Sequence, residues 1–255
     1  MKTTLFLLAS CLLILVCCKK SSSPTPPVSD VQLKKGLLLY LPFAGNMADS
    51  SGNGNITTVT GGAALTYDEH GNANSAFGGT GIGGRLLVTN NGSITFDTAI
   101  TVSANVMSKT IARYGILEFV DNTNGQSYTF GVATVSTSPF NFDYSVSNHL
   151  ATCNGLPTNS NTFADSTSFI PEPESWYNIV VIFHKGTLSA YVNGKLISTK
   201  SGGDNTVAVC PSAKLIVGGW WDGDPASING KLDEIRLYNR VLNADEIAEL
   251  SKEFH

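Results

Sequence analysis

From Leu33 to Tyr238 the apolar residues recur in short runs with a period of two, and glycine, asparagine and proline separate the runs. That period belongs to a pleated strand, whose successive side chains point to opposite faces. Ile100, Val102, Ala104 and Val106 alternate with Thr101, Ser103 and Asn105. Phe140, Phe142, Tyr144 and Val146 alternate with Asn141, Asp143 and Ser145, and Tyr128, Phe130 and Val132 with Ser127, Thr129 and Gly131. Gly36 to Phe43 and Trp176 to Phe183 are apolar on both faces, the pattern of strands covered on both sides. Tyr191 to Leu196 predicts a hairpin turning at Asn193-Gly194, because a type I′ turn needs positive φ at both central positions. Lys214 to Gly219 and Lys231 to Tyr238 complete the strands. A single helix is predicted at the C-terminus, with Asn243 and Glu246 as a capping box and Ile247, Leu250 and Phe254 as its apolar stripe. Many short strands and one terminal helix predict an all-β, two-sheet antiparallel sandwich.

Charged residues make up only 14% of the 255, and the net charge is −4. Polar uncharged side chains take their place, which suits strands and turns more than long solvated helices. No basic stripe is present, so a nucleic-acid partner is not expected.

Residues 1–17 read as an export signal: Lys2, then an apolar run from Leu5 to Val16. At about 12 residues that run is too short for a permanent membrane span. The stretch Leu15-Val16-Cys17-Cys18 followed by Lys19-Lys20 and three serines resembles a bacterial lipoprotein signal, which predicts a lipid on Cys18. The alternative is an ordinary signal peptide with spare cysteines. Residues 18–32, rich in serine and proline, are expected to be a tether, and 33–255 one folded domain. The expected location is the outer membrane or cell surface, with membrane contact through the anchor only. Cys153 and Cys210 then remain, and in an exported protein they are expected to pair as a disulfide, worth about 4 kcal/mol if unstrained. Two buried thiols are the alternative.

Four stretches, in order, resemble the laminin-G-like branch of the concanavalin A-like lectin/glucanase superfamily. They are GLLLYLPFAGNMADSSGNGN at 36–55, EHGNANSAF at 69–77, WYNIVVIFHKGTLSAYVNGKLI at 176–197 and GKLDEIRLYNRVLNADEIAEL at 230–250. The resemblance implies a jelly-roll sandwich, and residues 108–174 carry none of it. It also implies a structural Ca²⁺ joining the first loop to the closing strand.

Alternation in the closing strand puts Asp233 on one face with Ile235 and Leu237, and a carboxylate among apolar neighbours needs a cation or several hydrogen bonds. The loop at 45–55 offers oxygen donors, so the expected calcium ligands are Asp49, Asn53, Asn55 and Asp233. Plain turn-stabilising hydrogen bonds are the alternative. His70, His149, His184 and His255 show no ligand spacing.

Two further sites concern sugars. Trp220 and Trp221, beside Asp222 and Asp224, supply aromatic faces and flanking acids for a saccharide, unless both rings pack into the sandwich. Asn105, Asn141, Asp143 and Thr129 are expected to line one polar sheet face, where relatives hold glycans; a merely solvated face is the alternative. Laminarinase-type relatives carry E-x-D-x-x-E on one strand, and no such motif occurs here. The expected function is therefore that of a non-catalytic carbohydrate-binding surface lipoprotein. The alternatives are a protein-binding or structural surface module without a glycan site and, less favoured, a glycoside hydrolase.

Overall fold

The computed structural model describes residues 31–110, 114–120, 128–135, 141–147, 162–207, 214–220 and 225–253. Two antiparallel sheets face each other. The eight-stranded sheet runs in the order β13 (Lys195–Ser201), β12 (Thr187–Val192), β11 (Trp176–His184), β6 (Ala99–Ser108), β15 (Ala226–Tyr238), β4 (Ala76–Ile82) and β3 (Ala64–Thr66), and β1 (Leu37–Leu41) also pairs with β15. The seven-stranded sheet runs β10 (Thr162–Ser166), β9 (Asn141–Ser147), β8 (Tyr128–Val135), β7 (Tyr114–Val120), β14 (Lys214–Val217), β5 (Arg85–Thr89) and β2 (Ile56–Thr60). One helix, α1 (Ala244–Glu253), follows β15. This is the expected all-β jelly-roll sandwich with a short C-terminal helix.

The alternating residues meet between the sheets. Ile100, Val102, Ala104 and Val106 of β6 join Ile179, Val181 and Phe183 of β11 on one side. Leu117 and Phe119 of β7, Phe130 and Val132 of β8, Phe142, Tyr144 and Val146 of β9, and Leu215 and Val217 of β14 come from the other. β11 is apolar on both faces because its outward Val180 and Ile182 lie with Tyr238 under Ile247 and Leu250 of α1. Phe254 lies outside the described residues.

Local chemistry sets the ends of the elements. Glu246 donates its N–H to Asn243 Oδ1 at 2.9 Å, and Asn243 donates its own to Glu246 Oε2 at 2.8 Å, which is the expected capping box. Asn193 (φ 49°) and Gly194 (φ 74°) make the β12–β13 turn. On one flank the two sheets are tied together. Ser198 Oγ of β13 donates to Asp165 Oδ2 of β10, and Lys200 Nζ to the Ala164 carbonyl, both at 2.6 Å.

Candidate functional site

The first loop lies along the open edge of β1. The Tyr40 N–H donates to Asp49 Oδ1 at 3.1 Å, and the Ser50 N–H to the Tyr40 carbonyl at 2.8 Å. Asn53 Nδ2 donates to the Leu37 and Leu38 carbonyls, and Asn55 Nδ2 to Leu38. The Asp49 carboxylate also accepts from Ser51 N–H and Oγ and from Asn55 N–H and Nδ2. Both its oxygens therefore already face donors, and the side-chain amides of Asn53 and Asn55 turn their N–H₂ groups toward β1. This arrangement replaces a missing neighbouring strand and does not fit a cation, so the expected grouping of Asp49, Asn53 and Asn55 with Asp233 is corrected.

Asp233 belongs to a different neighbourhood. It pairs with Asn105 of β6, but the next registered pair is Arg236 with Ser103, so β15 carries one extra residue there. Glu234 takes it up at φ 51°. This bulge breaks the simple alternation: Leu232, Ile235 and Leu237 enter the core, whereas Asp233 faces outward beside Asn105. The expectation that Asp233 shares a face with Ile235 and Leu237 is thereby overturned. Asp233 is nonetheless only 5% exposed. It forms a polar row with Asn105 and Asn178, whose Nδ2 donates to Asn105 Oδ1 at 2.8 Å. Asn105 Nδ2 donates in turn to Glu69 Oε1 at 3.1 Å, from the loop between β3 and β4. Burial first, then the Glu234 charge, push the Asp233 carboxyl up to about 9. Local pattern does not single out Glu69 or Asn178, because only the folded loop brings Glu69 over the sheet. Among the described residues, no three His, Cys, Asp or Glu side chains form a metal-holding group.

The predicted polar face is split. Asn141 and Asp143, on β9, point away from the core because Phe142 and Tyr144 point into it; Thr129 belongs to β8 of the same sheet. Asn105 lies on the other sheet. Between Glu118 of β7 and Ser145 of β9 the register runs through Gly131, and between Gly115 and Asp143 through Ala133. Small residues thus floor the outer face of the seven-stranded sheet between its acidic and polar side chains. Glu118 is fully buried, and its backbone lies at least about 10 Å from that of Asp143, with β8 between them. Trp220, half-buried, follows Gly219, which bridges to Ser227. Trp221, Asp222, Asp224, Cys153, Cys210 and Cys18 lie outside the described residues. No helix among the described residues is long and apolar enough to cross a membrane.

A family profile named Laminin_G_3, of the concanavalin A-like lectin/glucanases superfamily, matches residues 78–248. No curated protein sequence matches the chain. Among solved structures, domain 4 of AbnA, a GH43 extracellular arabinanase from Geobacillus stearothermophilus in complex with arabinotriose, is similar with a TM-score of 0.63 at 16% identity, over 84% of this chain and 98% of that one. The binding domain of Paraclostridial Mosquitocidal Protein 1 gives 0.64 at 18% identity, over 88% of this chain and 53% of that one. The binding domain of Botulinum Neurotoxin DC in complex with SialylT gives 0.61 at 15%, over 88% and 53%. The chain thus spans about half the length of the toxin binding domains it matches. At such identities the likeness concerns the fold.

Proposed function

Since the chain belongs to the concanavalin A-like lectin/glucanase superfamily, we propose that it is a non-catalytic carbohydrate-binding module, exported and held at the cell surface by a lipid on Cys18. One observation carries this reading: the outer face of the seven-stranded sheet has a floor of Gly131 and Ala133 flanked by Asp143 and Ser145 on β9. The floor itself is buried, with Ala133 only 3% exposed, and the partly exposed Asn141, Asp143 and Ser145 along its side offer amide, carboxylate and hydroxyl groups to sugar hydroxyls. Two similar structures, one in complex with arabinotriose and one with SialylT, agree with a saccharide ligand. The absence of an E-x-D-x-x-E strand and the strand that separates Glu118 from Asp143 support binding without hydrolysis, which needs two carboxyls across one bond.

The test is a glycan array and calorimetry on the exported domain, with Asp143→Ala and Trp220→Ala. Asp143→Ala is expected to weaken binding about tenfold or more, the loss of roughly one charge-assisted hydrogen bond. Lack of binding to every glycan, or affinity unchanged by Asp143→Ala, defeats the proposal, and release of shorter sugars makes the protein a hydrolase. A protein-binding module is the second reading. It is favoured by the exposed Ile56 and Val59 on β2, a strand at the end of its sheet, and by the exposed Ile82 on β4.

A further inference from the structure

We infer that Arg240 is a latch that fastens the entry segment of the domain, residues 31–35, to α1, so that the two chain ends open together as one unit and ahead of the sandwich. Arg240 lies in the link between β15 and α1, and its guanidinium carries five N–H donors in a fixed fork. Nε donates to the Lys35 carbonyl at 2.6 Å, and Nη2 to the Gln32 carbonyl at 2.8 Å. Nη1 donates to the Val241 carbonyl at 3.1 Å, and Nη1 and Nη2 each reach one oxygen of Glu246 at 2.7 Å. The Gln32 N–H donates in turn to Glu246 Oε1 at 3.1 Å. Both main-chain groups of Gln32 thus end on a single ion pair.

Neither chain end is secured without the other. The helix has 10 residues, fewer than the roughly 12–15 that an isolated helix needs in water. The entry segment makes one turn of its own, with the Lys35 N–H on the Gln32 carbonyl at 2.9 Å. The apolar contacts are shared as well. Leu33 and Leu37 pack with Leu242, Ile247 and Leu250 over Val180, Ile182 and Tyr238, in a small cluster apart from the main core. The Glu246 side chain is 2% exposed and that of Arg240 21%. Parting the two leaves a buried carboxylate without its cation, so loosening one chain end loosens the other.

Beyond the latch the sheet takes over. The Asn239 N–H donates to the Gly36 carbonyl at 3.1 Å, and Leu37 opens the pairing of β1 with β15. A pull on the chain ahead of residue 31 therefore meets Arg240 before it meets β1. Opening the latch bares Val180, Ile182 and Tyr238, the apolar part of the outer face of the eight-stranded sheet.

Hydrogen exchange of the exported domain, read amide by amide with NMR, tests this. In the wild-type protein the amides of Gln32 and Lys35 are expected to share one opening constant with those of Ile247 and Leu250, within about threefold, and to exchange ahead of β6 and β11. Arg240→Lys keeps the charge but replaces the fork with one ammonium group. It is expected to speed exchange in both segments by a common factor of about ten or more. Leu33→Ala, made in the entry segment, is expected to speed exchange in α1 about fivefold, and Lys34→Ala to leave both segments within about twofold. Unequal opening constants for the two segments in the wild type overturn the latch. So does an α1 that ignores Leu33→Ala, or exchange in β6 and β11 as fast as in the helix. The wild-type profile decides the matter even where Arg240→Lys does not fold.

Discussion

Asp49 accepts the main-chain N–H of Tyr40 at 3.1 Å, so a side chain does for β1 what a neighbouring strand does elsewhere in the sheet. The same carboxylate fastens Ser51 and Asn55, which keeps the loop against the strand edge. Asp49→Ala is therefore expected to cost about 2–3 kcal/mol, since the donors it leaves are part-buried and several depend on one group. Asn53→Ala, which removes two bonds to the carbonyls of Leu37 and Leu38, should cost about 1 kcal/mol. Urea denaturation of the exported domain measures both.

Glu246 gives a pH signature. Arg240 holds its carboxyl below the usual carboxylate range through two bonds of 2.7 Å, to Oε1 and Oε2, helped by the Asn243 and Gln32 N–H groups. A carboxyl whose folded pKa is lowered stabilises the fold fully above its unfolded pKa, about 4.3, and loses that contribution as pH falls through the folded value. Glu246→Gln should therefore cost about 1 kcal/mol or more at pH 7, through the cap and the ion pair, and the gap to wild type should close in strong acid. Denaturation midpoints of the two proteins across an acid series check the sign.

Phe119 sits in a cluster with Phe96 and Phe130, at ring distances of 6.4 and 5.9 Å, and is 1% exposed. Phe119→Ala is expected to cost about 3–5 kcal/mol, because the rigid strands on both sides cannot close the cavity. Phe119→Leu should cost less than half of that. Thermal melting separates the two.

Gly194 at φ 74° has Ser251 of the helix 2.8 Å from where a Cβ would stand. Gly194→Ala is expected to cost about 1–2 kcal/mol, from the left-handed backbone and from pressure on α1. Amide exchange should then rise at the β12–β13 turn and in the helix together.

Alternation revealed the core strands β6, β8, β9 and β11 because each buries one face in the same interior. The capping box was equally plain, being a contact within four residues. The glycine-rich β4 was not. Its Gly79 lies against the Ile228 carbonyl, a demand set by a neighbour about 150 residues away, as the numbering shows. The polar site was only partly foreseen. Asp233 could be singled out as a carboxylate within an apolar strand, but its partner Glu69 sits in a turn that looks like any other. The bulge at Glu234 also has no mark in the sequence, since glutamate is not a residue that favours positive φ.

That bulge makes the closing strand's parity depend on one position. Deleting residue 234 would leave both faces as they are, whereas straightening the bulge with every residue kept would put Asp233 on the face of Ile235 and Leu237. Either Asp233 would then be driven inward with its charge, or Ile235 and Leu237 would be turned out to water. Nothing near the core compensates for the first, and the second strips two aliphatic chains from the interior. An evolving lineage can therefore lose residue 234 together with the bulge, but it cannot flatten the bulge while keeping the residue without rebuilding the last strand and the helix that leans on it.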